Sequence, residues 1–559
     1  MACLRPRAGW FRWVSIALLI AVGGSLTQAT AQESCPDAHS KLDLITHTRV
    51  HLGGNALQRV IVRADASALE SVAALVTSRG GVVRRTFTHI SALSVELRLT
   101  DLIALLTSAS IQSISLDAPV NLDPIVPSNP LGLPPPPSSE ASPTHLRDTL
   151  GLNGQWSGSG IGVAIVDSGI QPQSAFAGRI RFFRDFTSTS QVVRDDYGHG
   201  THVAGLIGGA GSGSSHAYQG VAPNADFIVL KVLDGSGQGA TSDVITAIEY
   251  AIDNKDALGI DVINLSLGHP TLEPAATDPL VLAVEAASHA GIVVVVAAGN
   301  QGTNTLTGLP QYFGINSPGN APSAITVGAV KTNNTTARDD DRVASYSSRG
   351  PGLIDLNPKP DLVAPGDKLV SAAATNSTLY QSYPSARVGT GYMKLSGTSM
   401  ATGVVSGTVA AILEASRATN GPNAPRLTPN AVKGILEYTA LPVESGTLVP
   451  IDAFTAGAGG LNAVGALDVA DSIDTTKAVG EHWTLDELPT ETTIGGVTLP
   501  WGRAVIWGTA VVWGNTFDSN QEAWGSAVVW GNTVVWGNAV VWGNAVVWGN
   551  AVVWGNTVQ

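Results

Sequence analysis

Between residues 144 and 471, short apolar runs alternate with longer stretches in which apolar positions recur every three or four residues. The runs at residues 161–166, 227–233, 262–266 and 292–298 are dominated by Val, Ile and Leu. Such runs suit strands of a parallel sheet covered on both faces. Between them Val244, Ile245, Ile248 and Ile252 mark one face of a helix. Asp278-Pro279 opens another helix with an N-cap and a proline at the first position, and Gly291 can close it. This alternation predicts an α/β domain with a doubly wound, mostly parallel sheet over 144–471.

The pattern differs on either side. Residues 58–63, 82–87, 93–97 and 111–116 read as strands, with helices at 66–78 and 100–108 and a Gly80-Gly81 turn. That βαββαβ order predicts a small ferredoxin-like α+β module within residues 32–120. Residues 121–143 contain four consecutive prolines, Pro134 to Pro137, and read as an extended linker. Residues 472–559 read as a further linker and a repeat tail. Trp501, Trp507 and Trp513 are six apart, as are Trp524, Trp530, Trp536, Trp542, Trp548 and Trp554, each followed by Gly. A unit such as Ala-Val-Val-Trp-Gly-Asn predicts a short strand plus a corner, so the tail should be β-rich and stacked. At the other end, Arg5, Arg7 and Arg12 precede an apolar stretch and an Ala29-Thr30-Ala31 cleavage pattern, so residues 1–31 read as a secretion signal.

Composition sharpens this picture. Charged residues make up 13% of the chain, about half the usual share, and glycines number 62. With 31 basic against 44 acidic residues and no basic cluster beyond the N-terminus, a nucleic-acid partner lacks its electrostatic footprint. Loss of residues 1–31 would move the net charge from −13 to about −16 and leave Cys35 without a partner, so no disulfide is expected. A secreted, extracellular protein is expected, with self-assembly or cell-surface contact through the uncharged aromatic tail.

Four segments carry chemistry. Val-Asp-Ser-Gly surrounds Asp167, Gly-His-Gly-Thr-His begins at Gly198, Ala-Ala-Gly-Asn ends at Asn300, and Gly-Thr-Ser-Met-Ala surrounds Ser399. A serine hydroxyl attacks a carbonyl only if a base takes its proton. A histidine can be that base, a carboxylate can orient it, and an amide can donate to the oxyanion. His202 lies three residues after His199, but the Glu of a helical zinc-protease motif is missing between them. No metal and no cofactor are therefore expected.

The order Asp, His, Ser separates this chain from chymotrypsin-like and α/β-hydrolase arrangements. With these motifs the chain resembles the subtilisin-like serine endopeptidases. The resemblance covers residues 57–471 and implies Asp167, His199 and Ser399 as the triad, Asn300 as oxyanion donor with the Ser399 amide, and His202 as a packing residue. It implies a substrate groove lined by Gly235, Ser236 and Gly237, by Ser266, Leu267 and Gly268, and by Gly299, pairing with protein or peptide substrates by strand addition. It also implies that the module before the linker is an inhibitory propeptide, removed by self-processing between Val120 and His145. Two departures stand out. Gly403 and Val404 follow Thr402 where the family usually has a proline, and the loop at 209–215 has no carboxylates for calcium. The competing reading is a surface-assembly or adhesion protein whose peptidase domain is secondary or inactive.

Overall fold

A computed structural model describes residues 41–52, 55–122, 146–444 and 452–507, together with short strands of the later repeats. The expected signal segment, the Pro-rich linker and most of the repeat corners lie outside the described residues.

The central sheet has eight strands. In spatial order they are Arg342–Val343, Ile325–Lys331, Val293–Ala297, Ile260–Leu265, Gly162–Asp167, Asp226–Lys231 and Ile180–Asp185, with Leu362–Pro365 also paired to Ile325–Lys331. All pairings are parallel except that of the two-residue edge strand Arg342–Val343. Both faces are covered because alternate residues supply two separate cores. Val163 and Ile165 point into one apolar cluster, Ala164 and Val166 into the other. The first cluster contains the helices His199–Gly208, Thr398–Asn420 and Pro429–Tyr438, and the second Thr241–Asp253 and Pro279–His289. The expected cap is present: the Asp278 carboxylate accepts from the amides of Leu280 and Val281, with Pro279 in the first turn.

Thr398–Asn420 runs across the sheet with Val404, Val405, Val409 and Ile412 fully buried. It is long and apolar enough to cross a membrane, but 94% of its apolar window is buried in the domain. Gly407 allows its close approach to the segment at Val221, since a Cβ there would lie 2.7 Å from Val221 Cβ and 2.8 Å from the Ile207 carbonyl oxygen. This helix is a core element.

Ahead of this domain stand the strands Leu57–Ala64, Val82–Phe87, Ala92–Arg98 and Ile111–Leu116 and the helices Leu69–Ser78 and Leu99–Leu105. The strands form one antiparallel sheet in the order second, third, first, fourth. The sheet packs on the larger domain, for Ile61, Phe87 and Ile90 share the second apolar cluster with Val244 and Ile248. Asp117 reaches across and accepts from the amide and hydroxyl of Ser242, capping the first turn of Thr241–Asp253.

One boundary moves. The chain beyond 471 is expected to be linker and tail, yet Ile473, Trp483, Ile494 and Trp501 belong to the first core cluster. A hairpin, Glu491–Ile494 with Val497–Pro500, lays this segment over the helix Ala463–Ser472. Trp501 carries the spacing of the repeats, but it is a core residue. Farther on, Thr533–Trp536 pairs in parallel register with Ala545–Trp548, and Ala539–Trp542 with Ala551–Trp554, so these four strands pair with the next unit but one, whereas Ala504–Trp507 pairs antiparallel with its neighbour Ala510–Trp513.

Candidate active site

Three chain segments end at the carboxyl edge of the sheet, where an open α/β fold leaves space for ligands. Asp167 closes the strand Gly162–Asp167, Asn300 follows the strand Val293–Ala297, and Ser266 follows Ile260–Leu265. Two helices begin there. His199 is the first residue of His199–Gly208, and Ser399 the second of Thr398–Asn420.

The buried Asp167 carboxylate faces His199 Nδ1 at 3.0 and 2.9 Å. That contact orients the ring and supports an imidazolium. His202 lies behind it, completely buried, with Nε2 3.1 Å from the Met393 carbonyl. Burial, and then the neighbouring His199, push the His202 pKa down to about 3, which keeps its ring neutral and unsuited to trading protons near neutrality.

Ser399 is nearly buried, and its hydroxyl donates to the Ser266 carbonyl at 3.2 Å. The Ser266 hydroxyl returns a bond to the Ser399 carbonyl at 3.1 Å. Among the described residues this is the only side-chain bond of Ser399, so the serine–histidine bond is not made in this structure. The Ser399 amide lies in the first helical turn, where amides have no intrahelical acceptor. Asn300 Oδ1 accepts from the amide and hydroxyl of Thr398, at 3.0 and 3.1 Å. Its NH₂ is thereby turned toward Gly397, where an added Cβ would lie 3.3 Å from Nδ2. The Gly299 amide also donates to Thr398 Oγ1. Thr398, which the motif around Ser399 includes without a role of its own, thus holds both Gly299 and Asn300.

The expected groove residues divide. Gly268 pairs with the backbone of Asn121: its amide donates to the Asn121 carbonyl at 3.3 Å, and its carbonyl accepts from the Asn121 amide at 3.1 Å. Leu267 is buried beside it. Gly235, Ser236 and Gly237 form a turn instead of an extended edge. Asp234 Oδ1 accepts from the amide and hydroxyl of Ser236 and from the Gln238 amide, and Gly237 has φ +76°. The short side chain of Asp234 competes for the backbone donors that a strand would use. The strand is Gln238–Ala240, antiparallel to Pro119–Asn121. Asn121 therefore sits between Gln238 and Gly268.

A sequence profile described as the subtilase family matches residues 158–473, more than half of the chain. M-protease of Shouchella clausii (strain KSM-K16) is 32% identical over 398 residues, covering 71% of this chain and 87% of that protein. The chain belongs to the subtilase family. Its α/β domain is a subtilisin-like serine endopeptidase domain. Serine protease AprX of Bacillus subtilis (strain 168) is 43% identical over 307 residues, 54% of this chain and 65% of AprX. Among solved structures, fervidolysin from Fervidobacterium pennivorans, a keratinolytic enzyme related to subtilisin, superposes with a TM-score of 0.54. That superposition, at 24% identity, covers 74% of this subtilase and 61% of fervidolysin, and shows a shared fold. Where the family usually has proline, this subtilase has Gly403, and a Cβ there would lie 3.3 Å from the Val203 carbonyl, so the helix start packs closely on the His199 helix.

Proposed function

We propose that this protein is a secreted serine endopeptidase, made as a precursor, that cleaves peptide bonds in proteins through an acyl-enzyme. The observation that carries the reading is the buried Asp167–His199 pair at the sheet edge that also presents Ser399 and Asn300. His199 takes the Ser399 proton as the hydroxyl attacks the scissile carbonyl, and Asp167 steadies the imidazolium. The Asn300 NH₂ and the Ser399 amide donate to the oxyanion, and His199 returns the proton to the leaving amine. A substrate strand whose N–H takes the Ser266 carbonyl would release the Ser399 hydroxyl toward His199.

The α+β module before the linker acts as the inhibitor in this reading. Its last strand already holds Gln238 and Gly268, the backbone positions a substrate would pair with. Residues 1–31 direct export, and cleavage between Val120 and His145 frees the groove. A serine-reactive fluorophosphonate tests the chemistry. Wild-type protein should be labelled and should mature without added protease, whereas Ser399→Ala should remain unlabelled and keep the full precursor. Labelling that survives Ser399→Ala would end the proposal, and no labelling of mature wild type would favour the adhesion reading.

A further inference from the structure

The proposed acid and base stand on two chain segments, the turn leaving the strand at Asp167 and the turn entering the helix at His199. Asp195 touches both. Its Oδ1 accepts from the Ser168 hydroxyl at 2.8 Å and the Gly198 amide at 2.7 Å. Its Oδ2 accepts from the amide and hydroxyl of Thr201, at 2.8 and 2.6 Å. Ser168 completes the link: its amide donates to Asp167 Oδ1, and its hydroxyl accepts from the Gly200 amide at 3.0 Å. The segments are in contact here, since a Cβ on Gly200 would lie 2.2 Å from the Gly169 carbonyl, and Gly169 bridges Asp195. Lys231 holds the same turn from below, with Nζ donating to the carbonyls of Ser168 and Leu233 at 2.7 Å each.

Asp195 is 3% exposed, and its four donors include two backbone amides that cannot rotate away. An ionised carboxylate only accepts, so it can satisfy all four, and such charge-assisted bonds are short and strong. We infer that Asp195 is a positioning residue for the reaction, setting the spacing and angle of the Asp167–His199 pair by binding both segments. The inference rests on the peptidase reading above. It matters because a displacement of about 1 Å at reacting groups can cost about 10²-fold in rate.

Asp195→Asn tests this without changing volume. Each carboxylate oxygen accepts one backbone amide, so in either orientation the new NH₂ faces an N–H that cannot turn. Using the full chain, turnover of a chromogenic peptide is measured per serine counted by burst titration, against pH. The expected result is a fall in kcat per titrated site of about 10²-fold, with KM changed less than about threefold. The acid limb of the kcat/KM profile should move to lower pH, because a misplaced Asp167 supports the imidazolium less well. A merely structural role would lower the fraction of titratable sites and leave kcat per site and the pH limb unchanged, and that result overturns the inference. Should Asp195→Asn not fold, Ser168→Ala removes the arm to the Asp167 turn together with the acceptor of the Gly200 amide, and leaves the Asp195 bonds to Gly198 and Thr201 in place. It should lower kcat by about tenfold with the same direction of pH shift, and unchanged values there overturn the inference too. Wild-type protein with no titratable serine overturns the peptidase reading along with it, whereas normal wild-type turnover beside an unaffected variant overturns the inference alone.

Discussion

Trp501→Ala separates a core residue from a tail repeat. Trp501 is 4% exposed and lies flush against the helix Ala463–Ser472, where a Cβ on Gly465 would come 2.8 Å from its ring. Its ring meets Tyr438 edge-on with centroids 6.1 Å apart. Its indole N–H donates to Thr492 Oγ1 at 2.7 Å, an oxygen that also accepts from Asn462 Nδ2. Removing a buried Trp costs about 3–5 kcal/mol. Thr492 keeps its second partner, so the lost hydrogen bond adds only about 1 kcal/mol. A total of about 4–6 kcal/mol is a large part of the about 5–15 kcal/mol that holds a typical domain. The measurement is urea unfolding followed by circular dichroism, with Ser399→Ala in every sample to prevent self-digestion. Trp501→Phe keeps most of the burial and loses the N–H bond, so it should lose about 1–2 kcal/mol. A loss below about 1 kcal/mol for Trp501→Ala, the range of an exposed site, would refute the claim that residues 473–503 belong to the peptidase domain.

Two further outcomes are expected. Asn300→Ala should lower kcat by about 10²–10³ with little change in KM; the size is the one established for this kind of donor in subtilisin itself and carried over from that relative. Steady-state kinetics that showed a raised KM and an unchanged kcat would contradict the oxyanion role. The second concerns pH. Glu273 lies where the α+β module docks, near Ser115, Asp43 and Arg63 of the module and Asp278 of its own domain. Burial, then Asp278 and Asp43, push its pKa up to about 8, so the docked state holds a proton that the free carboxylate would release. Docking should be tightest in acid and weaken as pH rises from the ordinary carboxylate range through about 8. Inhibition by the cleaved module, measured between pH 5 and 9, should show that decline, and Glu273→Gln should flatten it. An equal decline in both proteins would sink the assignment to Glu273.

Local chemistry was legible along the chain. A β-branched run such as Val293 to Ala297 favours a buried strand, and Asp278-Pro279 ahead of a periodic apolar segment favours a helix start. The segments around Asp167, His199, Asn300 and Ser399 likewise define turns and helix starts within a few residues, so their chemistry could be read without coordinates. What the sequence left open depends on contacts between distant residues. The hydroxyl of Ser399 pairs with Ser266, 133 positions away, which no local pattern encodes. The turn at Gly235 to Gly237 forms because Asp234 captures its donors, and the groove strand shifts to Gln238–Ala240, where Pro119–Asn121 meets it. Trp501 repeats the spacing of its successors but is a core residue, because Tyr438, Asn462 and Gly465 leave a place that its ring fills. Asp195 stands four positions before His199 with no motif of its own, and only the folded chain brings Ser168 to it. Sequence settles what each short segment can form and do, and tertiary packing decides which distant donor meets which acceptor, because a buried polar group must find its partner wherever the fold supplies one.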